Sequence, residues 1–286
     1  MTTIRLKIDV KSSFATFPKA DMIFGHFAYH LFSNNDLRLE NYLQEDPKII
    51  FSDFIPLNYL PKPTLPLDSF GVSDTDKKDF RKKEWIKIED LQNGDMSKCV
   101  NIEFYKTNVS VKNSLSRLTF STQKEIFTPY SLEEIEFLYE PSLYVSFDKD
   151  FKKEEIVEIL NKIGKNGFGK KSSTGKGSFS VSLDESFKGF EQLNTYYYMT
   201  ISPTIPKEND IEEFFYNTFN RFGKYSNSGT PFKKPVLMAD SAAVVKLKNS
   251  CTYIGRAINN GTNKTSFLQA YSILVPFKFN ENGLIC

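Results

Sequence analysis

"EEIVEILNKIGKNGFGKKSSTGKGSFSVSL", residues 154–183, decides the fold, because three different patterns follow one another within it. Ile156, Ile159, Leu160 and Ile163 recur at helical spacing and predict an amphipathic helix. Asp150 is its candidate cap. Glu154 and Glu155 lie near the first turn, where the helix dipole favours them, and Gly164 is the expected stop. From Gly164 to Gly177 the chain holds five glycines and four lysines with no acidic residue, which predicts a flexible, cationic loop. Beyond it, "GSFSVSL" at 177–183 alternates with period two and reads as a strand.

The N-terminal stretch supplies the matching half. In "IRLKIDV", residues 4–10, Ile4, Leu6, Ile8 and Val10 face one way and Arg5, Lys7 and Asp9 the other, as in a half-buried strand. Ile23, Phe24, Phe27, Ala28 and Leu31 then fall on one helical face between 20 and 32, and "KIIFSDF" at 48–54 reads as a second strand. Pro56, Pro61, Pro63 and Pro66 speak against regular structure through 56–66. The stretch 74–90 carries six basic and six acidic residues and is expected to be a solvated excursion. Strands are expected again at 134–140 and 142–148. Strand–helix–strand, insertion, strand–helix–strand is the split βαβ plan of ferredoxin-like domains. From about 195 onward, short β-type runs punctuated by Gly, Pro and Asn suggest a second, β-rich unit. The expected fold is α+β: two ferredoxin-like (RRM-like) domains with antiparallel sheets. The first spans 1–188, with an insertion at about 56–115, and the second spans 189–286.

Composition bounds the function. The 286 residues are 40% apolar and 25% charged, the proportions of a globular protein with a sizeable core. Net charge is only +2, so affinity for a polyanion has to come from local patches. Cys99, Cys251 and Cys286 are too far apart for a metal or redox spacing, and three cysteines cannot all pair within one chain. The alternating start does not read as a signal peptide, and no apolar run approaches membrane-spanning length. A cytoplasmic protein without cofactor, metal or membrane is expected.

The glycine-rich loop invites a phosphate, yet not a nucleotide's. A P-loop needs G-x-x-x-x-G-K-[ST]; Gly164 to Lys170 fits, but Lys171 stands where the hydroxyl belongs. Topology is also reversed, since a helix precedes the loop and a strand follows it, so the nearby dipole end repels anions. The dinucleotide pattern fails because Ser172 replaces its third glycine. An RNA backbone asks for less. Glycine N–H groups can converge on phosphate, Lys165, Lys170, Lys171 and Lys176 supply charge, and Ser172, Ser173 and Thr174 supply donors. A solvated loop that binds nothing remains the competing reading.

The assembled order of segments resembles the RAMP superfamily of CRISPR RNA-binding proteins. Within it, the chain is similar to the subunit that caps the 5′ end of the guide in type III-A effectors, subunit four of the Csm complex, in the Cas-five-like group. "ADMIFGHFAYHLF" looks like that family's first helix and "FSDFIPLNYLPKP" like its proline-rich lead-in to the insertion. "VKNSLSRLTFSTQKEIFTPYSLEEIEFLYEPSLYVSF" resembles the return to the sheet, and "NGFGKKSSTGKGSF" its glycine-rich loop. "FFYNTFNRFGKYSNSG", "PFKKPVLMADSAAV" and "YIGR" resemble segments of its second domain. The resemblance implies a non-catalytic RNA-binding subunit that grips the repeat-derived 5′ tag of CRISPR RNA. Its implied partners are the large polymerase-like subunit and the backbone RAMP subunit. It implies tag contacts at Gly167, Gly169, Lys170, Lys171, Ser172, Ser173, Gly175 and Lys176, with Asp21 lining the same groove. Asn113 and Arg117 correspond to a polar pair near the RNA. Ser241 corresponds to a Gly-Ser turn in which Asp240 here takes the glycine's place.

His26 and His30, the only histidines, share a helix face at i, i+4. A related RAMP class cleaves precursor CRISPR RNA with a histidine on this helix, so a metal-independent endoribonuclease using His26 or His30 is the alternative function. That class usually carries a second glycine-rich loop near its C-terminus, which the last 50 residues here lack. No G-x-S-x-G elbow, HExxH or GGDD is present. Glu133, Glu134 and Glu136 are expected on a solvated face.

Overall fold

A computed structural model describes residues 1–73, 75–113, 115, 117, 122, 129–207, 211–223, 232–261 and 266–279. The first half runs β1 (Thr2–Val10), α1 (Ala20–Ser33), β2 (Ile49–Phe51), β3 (Ile55–Pro56), β4 (Tyr59–Pro61), α2 (Lys77–Phe80) and β5 (Trp85–Lys87). It continues through α3 (Ile88–Asn93), β6 (Tyr105–Lys112), β7 (Tyr130–Phe137), β8 (Pro141–Phe147), α4 (Lys153–Asn166) and β9 (Phe179–Leu183). The main sheet has the order β2–β8–β1–β9 with every neighbour antiparallel, and β3 adds to β8. That is the strand order of a split βαβ unit. It follows from the pattern: β8 is buried at every position, as a central strand covered on both faces must be, whereas β1 is flanked on both sides and partly exposed.

Both principal helices bury the residues that their spacing selects. Ile23, Phe24, Phe27, Ala28 and Leu31 of α1 are buried, as are Ile156, Ile159, Leu160 and Ile163 of α4. The expected end signals differ. Lys152, not Asp150, precedes α4, and no side chain caps it. Gly164 does not stop the helix either. It lies within it, and a Cβ there would come 2.1 Å from the carbonyl oxygen of Phe179, so this glycine lets α4 lie directly against β9. Gly167, at φ +86°, is the residue that ends the helix.

The insertion is less solvated than its charge suggests. Short strands β4 and β5 pair with each other, Pro61 facing Trp85, so the proline-rich stretch is not wholly irregular. Within 74–90, Phe80 and Ile86 are buried, and Phe80 packs on Phe70 with ring centroids 5.0 Å apart. The lysines around them stay outside. β6 and β7 form a separate two-stranded ribbon, in register from Tyr105–Phe137 to Lys112–Tyr130.

The second half contains β10 (Tyr197–Thr200), β11 (Ile211–Phe215), β12 (Thr218–Arg221), β13 (Val236–Ala239), β14 (Val244–Leu247), β15 (Tyr253–Ile258) and β16 (Leu268–Pro276). Its sheet order, β11–β14–β10–β16–β15, repeats the strand order of the first sheet, with β15 added at one edge and the β12–β13 hairpin alongside. No helix occurs here among the described residues. The expected α+β fold with antiparallel sheets is present as two sheets of like strand order, of which, among the described residues, only the first carries helices. One hydrophobic core runs through both halves: Leu6, Phe24, Phe27 and Leu160 belong to the same buried cluster as Tyr197, Met199, Ile273 and Phe277. Cys99 is buried and Cys251 exposed, while Cys286 lies outside the described residues. No helix is long and apolar enough to cross a membrane among the described residues.

Candidate nucleic-acid interface

The loop at 164–177 is held open by its backbone. Gly167, Gly169, Lys171, Gly175 and Gly177 all have positive φ, between +64° and +86°. Ser172–Thr174 form a single 3-10 turn, closed by N–H donation from Thr174 to the Lys171 carbonyl and from Gly175 to that of Ser172, each 3.0 Å. Its base is clamped from below. Phe168 N–H donates to the Gly177 carbonyl and Gly177 N–H to that of Ser13, both 2.9 Å, and the Phe168 ring is buried against Phe14. Lys170 N–H reaches Thr16 Oγ1 at 3.3 Å. The N–H groups of Gly169, Lys171, Ser172 and Ser173 meet no acceptor among the described residues. Free N–H groups flanked by residues of positive φ are the kind of backbone that can take up an anion.

Charge is distributed unequally around this loop. Lys165 and Lys170 are exposed. Lys171 lies over the Tyr130 ring, 4.5 Å from its centroid, with its Nζ 2.7 Å from the phenolic oxygen. This contact brings the ribbon's end to the loop, and Asn113 directly follows β6 at that same end. Asn113 and Arg117 are both exposed. Lys176 is committed elsewhere: its Nζ is 2.5 Å from Glu134 Oε2 and 2.8 Å from Ser13 Oγ. Glu134 also accepts from Ser110 at 3.0 Å and sits 3.4 Å from Lys112. It is therefore not on a solvated face, as its acidic neighbours suggested. Its bond to Lys176 holds its carboxyl down at about 2. A depressed carboxyl stabilises the fold fully above its ordinary value of 4.5, and that contribution is lost progressively as pH falls from there to about 2. Lys176 thus ties loop to ribbon rather than facing solvent.

A second polar cluster lies under the start of α1. Asp53 accepts the Ala20 N–H at 2.8 Å, capping the helix from outside its own sequence, and also accepts from Lys19 Nζ at 3.0 Å and from the Ser241 hydroxyl. Lys19 reaches Asp240 at 2.7 Å and lies over the Phe219 ring. Burial alone would lower the Lys19 pKa; Asp53 and Asp240 overturn that and raise it above the usual lysine range. Asp21 pairs with Arg221 of β12, and its carboxylate is 2% exposed. Burial drives its pKa up, and Arg221 pulls against that. Asp53 links Asp21 and Ser241: it accepts from Ser241, which is partly exposed, and its charge acts on Asp21, which is buried. Lys19, Asp53, Asp240 and Arg221 complete the cluster; their pairings span up to 221 positions, and no local pattern announces them. Thr16, three residues before Lys19, touches the loop: a Cβ on Gly169 would lie 3.1 Å from the Thr16 Cβ.

His26 packs on Phe168 with ring centroids 4.8 Å apart and planes tilted by 39°, and burial lowers its pKa. Among the described residues, no group of three or more His, Cys, Asp or Glu side chains is arranged to hold a metal ion.

No family model and no curated protein matches the sequence. Solved structures do match in fold. A chain of a Csm1–Csm4 cassette in complex with pppApA superposes with a TM-score of 0.63 at 14% identity, covering 98% of this chain and 99% of that one. The same cassette in complex with cA4 gives 0.64 at 14% identity over the same shares. A chain of the Csm3–Csm4 subcomplex of the type III-A CRISPR-Cas interference complex gives 0.61 at 17% identity, covering 97% and 100%. Over essentially its whole length, the chain shares its fold with chains of these Csm assemblies.

Proposed function

We propose that this chain is the CRISPR RNA-binding subunit that caps the guide of a type III-A effector at its 5′ repeat-derived tag, without catalysis of its own, in antiviral defence in the cytoplasm. The observation that carries the reading is the loop at 164–177, which combines four N–H groups without an acceptor among the described residues, five residues of positive φ and the exposed Lys165 and Lys170, on a chain of this fold. Backbone donors and lysines contact ribose-phosphate without regard to base, which suits an extended single strand. Gly167, Gly169 and Gly175 keep the backbone in its anion-accepting shape, Ser172 and Ser173 add donors, and Asn113 and Arg117 extend the surface along the ribbon. Lys176, Asp21 and Ser241 act indirectly, by fixing the loop and the start of α1. The partners are the large polymerase-like subunit and the backbone RAMP subunit, in keeping with neighbours solved in Csm1–Csm4 and Csm3–Csm4 assemblies. Domains at 1–188 and 189–286 fit this division, the RNA loop belonging to the first.

The ribonuclease alternative draws less support. A general acid needs a reachable, titrating ring, and His26 is packed on Phe168 with its cationic form disfavoured by burial.

Lys170 and Lys171 changed together to Ala weaken binding of a tag-length RNA. The slope of log affinity against log salt becomes shallower by about 1.4, the value for two single-strand phosphate contacts. Filter binding across a salt series measures it; an unchanged slope removes both lysines from the interface.

A further inference from the structure

A cleft of about 410 Å³ opens on the second sheet between β11, β13 and β15, and none of the glycine-rich loop's residues lines it. This volume falls in the range of small-ligand sites. Phe214 and Tyr216 stack within it, their centroids 4.6 Å apart and ring planes at 27°. Tyr216 is 49% exposed, so the pair presents an aromatic surface to solvent. Ile205 and the exposed Leu237 form apolar walls. Among the described residues, Arg256 is the single charged residue of the lining, and its guanidinium meets no carboxylate or other acceptor there. A purely apolar occupant would leave that cation unanswered, and a simple anion would leave the ring pair uncovered. A flat aromatic group bearing one phosphate answers both.

We propose that this cleft binds one nucleoside monophosphate unit, its base stacked on Tyr216 and its phosphate paired with Arg256. The unit is either an unpaired nucleotide of an RNA strand or a free mononucleotide. The site is separate from the glycine-rich loop and does not depend on the loop's role.

The test uses the full chain and two probes: a set of 12-nucleotide single-stranded RNAs with 2-aminopurine at successive positions, and free 2-aminopurine riboside 5′-monophosphate. Stacking on Tyr216 quenches the fluorescence. The expected result is quenching at one strand position, by the free monophosphate, or both. Tyr216→Ala abolishes it with about tenfold or greater weakening of that probe, and Tyr216→Phe retains it. Arg256→Ala weakens binding and makes the strand's salt slope shallower by about 0.7. A strand signal without a monophosphate signal assigns the cleft to RNA, and the reverse assigns it to a mononucleotide. Quenching that survives in Lys170→Ala/Lys171→Ala separates the cleft from the loop. No quenching with either probe, or quenching that persists in Tyr216→Ala, overturns the proposal. So does a Tyr216→Ala/Arg256→Ala chain that keeps both probe signals and loses only a protein partner, which makes the cleft a protein contact.

Discussion

Asp53→Ala lowers the stability of the chain by about 3 kcal/mol, the lower end of the cost of breaking a buried charge pair, and its Tm by roughly 6–12 °C. The carboxylate does three things at once. It takes the Ala20 N–H at the start of α1, the Lys19 ammonium and the Ser241 hydroxyl. Alanine supplies none of these acceptors, and the Lys19 charge stays behind, largely buried at 21% side-chain exposure. Asp240 still faces Lys19, which keeps the loss from the upper end of the range. Asp53→Asn retains an acceptor for the helix N–H and costs less. Asp240→Ala, at a site whose side chain is 34% exposed, costs least of the three. Thermal and urea unfolding measure the series. A stability for Asp53→Ala within 0.5 kcal/mol of the parent, the scatter of ordinary surface substitutions, contradicts the assignment of Asp53 as the cluster's centre.

Gly177→Ala unseats the glycine-rich loop and costs about 3 kcal/mol. A residue with a Cβ at φ +72° costs about 1–2 kcal/mol from the backbone alone. The new Cβ would stand 2.2 Å from the Phe168 carbonyl oxygen and 2.7 Å from its nitrogen, and overpacking adds about 1–3 kcal/mol. Relief requires breaking the Phe168–Gly177 clamp at the base of the loop. Gly175→Ala is the matched control, with φ +84° but nothing within 4 Å of the added carbon, so it bears the backbone cost alone. Gly177→Ala therefore loses RNA affinity well beyond Gly175→Ala when both are compared at temperatures where each remains folded. Equal effects of the two substitutions contradict the clamp.

These two positions mark where the sequence was legible and where it was not. Periodicity identified both principal helices and β1, because burying one face of a regular element leaves a mark every two or three to four residues. It identified the loop through composition. It did not separate the roles of the glycines. Gly164 and Gly167 look alike as helix stops; one is a close-packing site against β9 and the other ends the helix, and the difference lies in Phe179, a strand away. Charge was equally opaque. Glu134 sits in an acidic run that reads as solvated, yet its partner Lys176 is 42 residues on, across the loop. Lys176 in turn reads as one of four phosphate ligands and is a strut. Asp21 resembles a groove residue and is buried against Arg221, two hundred residues downstream. The second sheet was legible as short strands, but the sequence did not reveal that its strand order repeats the first without helices. Hydrogen bonds between distant strands set that order, and the pairing has no local signature.

The central claim is that the loop at 164–177 holds the 5′ end of a guide. Sequencing the RNA that co-purifies with the tagged chain from its own cells tests it most directly, with the Lys170→Ala/Lys171→Ala chain alongside. One short shared 5′ sequence ahead of varied guides is expected, depleted in the double variant and unchanged when His26 or His30 is replaced. RNA without a common 5′ end, or a shared end equally abundant in the double variant, contradicts it.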